Sequence, residues 1–135
     1  MLKVFVQKSH NSCRNLLNWL DDQGLEYEKR YIDKNPLTVE ELLSIIRFTE
    51  NGFEDILSYR VLNNQWKLTE KEIDAFTVKE LAALMVKYPV LIKKPIVIRG
   101  DKLLIGYNKT LVYTLIPKEL RFRQRMEIYS LSINY

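Results

Sequence analysis

The chain predicts an α/β fold with a mixed four-stranded sheet and a helical insertion, and three stretches carry the prediction. Residues 2–32 read strand, helix, strand; residues 36–88 hold helical patterns and no strand candidate; residues 94–107 return to β character as a hairpin. A strand–helix–strand unit this short makes its two strands parallel, joined by a right-handed crossover. A hairpin adds antiparallel strands to the same sheet, so the sheet is mixed.

Taken in order, Leu2-Lys3-Val4-Phe5-Val6 is a short, apolar, buried strand ending near Gln7. The polar loop Ser9-His10-Asn11-Ser12-Cys13-Arg14 follows, and the spacing of Leu16, Leu17, Trp19 and Leu20 is helical. The helix is expected to start at Asn11 or Ser12, whose short polar side chains cap well, and to stop at Gly24. Tyr27 to Ile32 alternates as a second strand. After Pro36, Thr38-Val39-Glu40-Glu41 forms a capping box ahead of Leu42, Leu43, Ile45 and Ile46. Asn51-Gly52 is expected to break that helix, and Phe53 to Tyr59 to resume a short one with Arg60 just past it. Two more boxes, at Thr69–Glu72 and Thr77–Glu80, open further helices, the second with Leu81, Leu84 and Met85 on one face.

Lys94 to Arg99 is the third strand, Gly100-Asp101 its turn, and Leu103 to Tyr107 the fourth strand. Asn108 can cap a helix through Leu111, Val112 and Leu115. Beyond Pro117, Lys118, Arg121, Arg123 and Arg125 punctuate another helix. The expected organisation is one domain over 1–135: a core of 1–33 and 94–116, a helical insertion of 36–90, and a basic C-terminal helix of 117–130.

A length of 135 residues with 47% hydrophobic and 28% charged residues is that of an ordinary globular domain. No apolar run is long enough for a bilayer, and no basic-then-apolar leader opens the chain. Its one cysteine excludes a disulfide within the chain and fits a reducing cytoplasm. A net charge of +4 is compatible with an acidic or nucleic acid partner without demanding one.

Cys13 stands in the first turn of a helix, where free N–H groups and the dipole stabilise a thiolate. It can be an oxidant-sensing thiol or an inert, partly buried residue. A zinc site is not supported, because His10 and Cys13 are the chain's single histidine and single cysteine. No metal or cofactor is expected.

Together, Ser12-Cys13-Arg14, Trp19-Leu20, Pro36-Leu37, Ile46-Arg47, Thr49-Glu50-Asn51-Gly52, Arg60, Lys94-Pro95-Ile96-Val97-Ile98 and Gly106-Tyr107-Asn108 match one family in order and spacing. The chain resembles the Spx transcriptional regulators of low-GC Gram-positive bacteria, through nearly its whole length. The resemblance implies a thioredoxin-like fold of the arsenate reductase type, with a cis peptide at Lys94-Pro95. It implies a cytoplasmic protein, monomeric when free, that binds the C-terminal domain of the RNA polymerase α subunit under thiol stress. Arg47 and Gly52 fall in the segment that touches that domain.

The family's C-x-x-C switch matches positions 10 to 13, which here read His10-Asn11-Ser12-Cys13. The leading sulfur is missing, and the ending Leu131-Ser132-Ile133-Asn134-Tyr135 lacks the small residues that Spx offers to its protease. For an arsenate reductase the nucleophile position is His10, which cannot supply thiol chemistry. Arg60 matches one of that enzyme's oxyanion-clamping arginines and Lys94 stands where another would be. Arg14, Arg60 and Lys94 can therefore bind an anion weakly, or Arg60 and Lys94 can pair with surface carboxylates. Lys118, Arg121 and Arg125 share one helix side; they are a solvated face or contacts to promoter DNA once polymerase has placed the protein there. Two rivals remain: a thiol-dependent oxidoreductase of arsenate reductase or glutaredoxin type using Cys13, and an adaptor binding another protein through the helical insertion.

Overall fold

The computed structural model describes residues 2–108 and 110–115. Four strands, β1 (Leu2–Val6), β2 (Tyr27–Tyr31), β3 (Ile96–Arg99) and β4 (Lys102–Ile105), form one sheet in the order β2-β1-β3-β4. β1 and β2 are parallel, with Leu2 opposite Tyr27, while β1–β3 and β3–β4 are antiparallel. The mixed four-stranded sheet expected from the sequence is present, and the Lys94-Pro95 peptide is cis.

Both faces of the sheet are covered, which is why β1 is apolar almost throughout. On one face Leu2, Val4, Val6, Val97 and Leu104 meet Leu16 and Leu20 of α1 (Asn11–Asp22), with Val112 and Leu115 of a 3-10 turn, Leu111–Leu115. Trp19 and Tyr113 join those two elements edge to face, 5.9 Å between centroids. On the other face Phe5, Ile96, Ile98, Leu103 and Ile105 meet α2 (Val39–Ile46), α3 (Phe53–Ile56), α4 (Glu70–Asp74) and α5 (Val78–Lys87). The three capping boxes form as expected, Thr38 with Glu41, Thr69 with Glu72 and Thr77 with Glu80.

Several boundaries differ from the sequence expectation, each for a local reason. The cap of α1 is His10 rather than Asn11 or Ser12: its Nδ1 accepts from the Cys13 N–H while Asn11 is already helical. Helix α2 ends at Ile46, before Asn51-Gly52, because Phe48 and Thr49 donate to carbonyls three residues back and the Thr49 hydroxyl also bonds the Ile46 carbonyl. Gly52 instead stands at the head of α3.

Helix α3 stops at Ile56, short of Tyr59, because Leu57 turns extended and bridges Ile92. Ser58 N–H donates to the Leu91 carbonyl and Lys93 N–H to the Ile56 carbonyl, both at 2.7 Å, so the middle of the insertion is tied to the segment that leaves it. Arg60 does not follow a helix but precedes a π-helical turn, Val61–Gln65, that periodicity did not announce. Asn108 does cap, accepting from the N–H groups of Thr110 and Leu111, but the described stretch Leu111–Leu115 is 3-10 rather than α-helical. The expected helix 117–130, with Lys118, Arg121 and Arg125, lies outside the described residues. Among the described residues no helix is long and apolar enough to cross a membrane.

Candidate functional site

The loop between β1 and α1 places its residues as the strand-to-helix junction requires, but its chemistry is muted. Cys13 is 1% exposed and packs among Val4, Val6, Leu16 and Leu20. Its sulfur accepts from the Gln7 N–H at 3.4 Å. Burial pushes the thiol pKa up, outweighing the Gln7 hydrogen bond and the Lys94 charge that pull it down. A helix N-terminus favours a thiolate; here desolvation wins. His10 accepts from the Cys13 N–H at 3.4 Å, and burial, then the Lys94 charge, lower its pKa. The imidazole is thus held neutral, as an acceptor must be.

The three cations that could clamp an anion are not assembled. The cleft over the loop is lined by Lys8, Ser9, His10, Cys13 and Arg14, with Tyr31 opposite; neither Arg60 nor Lys94 lines it. Arg14 is exposed and donates to the Asn11 side chain at 2.8 Å. Arg60 is exposed at the head of the π-helical turn. Lys94 is 8% exposed, and its ammonium donates to the Pro89 carbonyl at 2.6 Å. Burial brings its pKa down to about 8. Pairing of Arg60 and Lys94 with surface carboxylates is not found either: among the described residues the ion pair is Arg30–Glu41, at 2.6 Å. No group of metal-ligating side chains large enough to hold an ion occurs among the described residues.

The segment from Arg47 to Asp55 is the better-built surface feature. Arg47 caps the end of α2 and is exposed, and Phe48 beside it is 46% exposed. One carboxylate organises the turn: Asp55 accepts from the Glu50 and Asn51 N–H groups, both at 3.1 Å, and from the Asn51 amide at 3.2 Å. These bonds, with Asn51's N–H the foremost, hold the Asp55 pKa below the usual carboxylate value. Sequence reasoning missed Asp55; its only signal was an acidic residue in the first turn of a short helix, four after Asn51.

Gly52, at φ 68° and ψ −131°, has a backbone that side-chain-bearing residues rarely adopt. A Cβ built there would meet nothing within 4 Å, so the space in front of it is open to a partner.

Residues 5–114 match the ArsC family. The chain belongs to that family. Over 121 residues it is 32% identical to a protein of Streptococcus mutans named global transcriptional regulator Spx, covering 90% of this chain and 87% of the relative. A crystal structure of a Bacteroides fragilis protein described as ArsC family related superposes with a TM-score of 0.70 at 26% identity, over 85% of this chain and 97% of that one. An arsenate reductase from Vibrio cholerae gives a TM-score of 0.66 at 20% identity, over 78% and 92%, and shares the fold. The architecture is therefore the thioredoxin-like, arsenate-reductase-type fold, and the Spx-type relatives are regulators by name.

Proposed function

We propose that this ArsC-family protein is a transcriptional regulator of the stress response that acts in the cytoplasm, as a monomer when free, by docking on the C-terminal domain of the RNA polymerase α subunit through Arg47–Gly52. It meets promoter DNA only alongside polymerase and performs no thiol chemistry of its own. The observation that carries the reading is the Gly52 turn. It is clamped by Asp55, bare at its tip, and flanked by exposed Arg47 and Phe48. The Spx-type relatives supply the regulatory context. The buried Cys13 with its raised pKa makes an oxidoreductase the weaker alternative.

Titration of the purified protein with the α C-terminal domain tests this, with wild type beside Gly52→Ala and Gly52→Arg. Alanine introduces backbone strain of about 1–3 kcal/mol, whereas arginine adds a side chain in the open space. The expected result is binding by wild type, with Gly52→Arg weaker by about 2 kcal/mol or more, a factor of roughly thirty. Circular dichroism confirms that the variants are folded. No binding by wild type, or equal affinity in Gly52→Arg, refutes the docking assignment.

A further inference from the structure

The two edges of the sheet are built differently. β2 presents Glu28, Lys29 and Arg30 in succession, charges of the kind that discourage an incoming strand. β4 carries Leu103-Leu104-Ile105 behind a single Lys102, and among the described residues it pairs with β3 alone. In an antiparallel ladder, residues that exchange bonds with the neighbour alternate with residues whose backbone groups face away. The Gly106 N–H donates to the Pro95 carbonyl at 2.7 Å, which fixes the phase. Lys102 and Leu104 turn towards β3, opposite Arg99 and Val97. The N–H and C=O of Leu103 and Ile105 therefore face outward, away from the sheet.

That edge is the floor of a groove. One wall is formed by Phe48, Glu50 and Asp55, and the other by Leu111 and Val112. Phe48 is 46% and Leu111 50% exposed, so each wall offers apolar surface to whatever lies between. We propose that the β4 edge accepts an extended peptide segment of another protein as an added strand, apolar at alternate positions, with a basic residue beside Glu50 and Asp55. Outward backbone groups call for a strand, because main-chain bonds supply the affinity while alternate side chains enter the flanking walls. The carboxylates of Glu50 and Asp55 set the charge of the partner. A second copy of this chain suits the groove less well. Edge-to-edge pairing about Leu104 would bring each copy's walls against the other's, with Glu50 and Asp55 facing their own counterparts. Phe48 and Glu50 belong to both this groove and the proposed polymerase surface, and the two readings are told apart because this probe contains no polymerase.

The test uses the full chain and a fluorescein-labelled nonapeptide of alternating valine and threonine ending in lysine, followed by fluorescence anisotropy. Two controls carry N-methyl groups, one on the valine amides and one on the threonine amides. The control whose methylated amides face β4 should bind roughly tenfold or more weakly, because its main-chain donors are gone. Leu103→Pro removes an N–H that points outward and leaves the bonds to β3 in place, as a proline on an edge can. It should lower affinity by a similar factor, with an unchanged circular dichroism spectrum. Amide exchange provides a readout that needs no variant: Leu103 and Ile105 should slow when the peptide is added. No binding of the unmodified peptide, equal binding of both methylated controls, or slowing at β2 instead would overturn the proposal. So would a chain that is dimeric alone and monomeric as Leu103→Pro, which would give the edge to a second copy.

Discussion

The ammonium of Lys94 sits behind the cysteine loop with the Pro89 carbonyl as its hydrogen-bond acceptor, and its pKa falls from 10.5 to about 8 because burial penalises the charge. Below pH 8 both folded and unfolded chains carry the proton, and the full cost of burying it is present. Between about pH 8 and 10.5 the unfolded chain keeps a proton that the folded chain has released, so stability rises with pH. At about 1.4 kcal/mol per unit the cost is about 3.5 kcal/mol as an upper figure. Lys94→Met removes it and leaves the Pro89 carbonyl without that donor, a loss of about 1 kcal/mol. The variant should therefore be more stable than wild type by about 1–2 kcal/mol at pH 7. The gap should close as pH climbs from 8 towards 10.5. Cys13 feels the Lys94 charge, so it would titrate differently in the two proteins; making the comparison in a Cys13→Ser background removes its contribution. Denaturant unfolding across that pH range measures the gap, and one that ignores pH would contradict the burial argument. His10 works in the opposite pH range. Its folded pKa lies below 6.5, so stability falls as acid protonates the unfolded chain first and then removes the Nδ1 acceptor. In His10→Asn a good cap replaces the imidazole. The variant should match wild type at pH 7 and exceed it by up to about 1 kcal/mol below pH 6, as thermal melts at both values would show.

At the scale of elements, Asp55 ties the head of α3 to the turn that leaves α2. Asp55→Ala should free the Glu50 and Asn51 amides, raising their hydrogen exchange by roughly tenfold or more while α2 and the sheet keep theirs, since local openings are separable from global unfolding. Unchanged exchange at those two amides would mean that the turn is held by something else. Affinity for the polymerase domain should fall in the same variant if that turn is the docking surface. This clamp was hard to foresee because a carboxylate reaching back four or five residues leaves no periodic mark. Other elements did leave marks that the structure bears out. Thr38, Thr69 and Thr77 announced three helix starts, and Gly100-Asp101 announced the turn between β3 and β4. The π-helical turn at Val61–Gln65 has no signature beyond helical composition, and the Leu57–Ile92 bridge joins residues far apart in sequence. Lys94 reads as a surface cation by residue type; only the packing of Pro89–Leu91 behind the loop reveals it as buried. At the cysteine loop the missing sulfur was legible at once, while the inertness of Cys13 depends on apolar neighbours from β1 and α1.

On the scale of the whole molecule, helices cover one face of the sheet and α1 with the 3-10 turn covers the other, so a partner must use loops or edges. The chain carries a net charge of +4, and Arg47 stands on the proposed docking turn. Its charge and the bareness of Gly52 act through different physics, and salt tells them apart. A side chain at Gly52 excludes the partner by contact, a short-range effect that ions do not screen. Reversing Arg47 changes the field that orients an approaching partner, which acts across a Debye length of about 10 Å at 0.1 M salt. Arg47→Glu lowers the net charge from +4 to +2, a loss of one positive and a gain of one negative charge. It should weaken binding of the polymerase domain by about 1 kcal/mol at low ionic strength, mainly through a slower association rate. Near 0.5 M salt most of that difference should vanish, while the roughly thirtyfold loss in Gly52→Arg persists. Stopped-flow association at several salt concentrations, with wild type and both variants side by side, measures the two together. An Arg47→Glu defect that survives high salt would mean that the guanidinium makes a close, desolvated contact rather than steering from the rim. No defect at any salt would remove Arg47 from the interface and leave Gly52 with its Asp55-clamped turn as the contact.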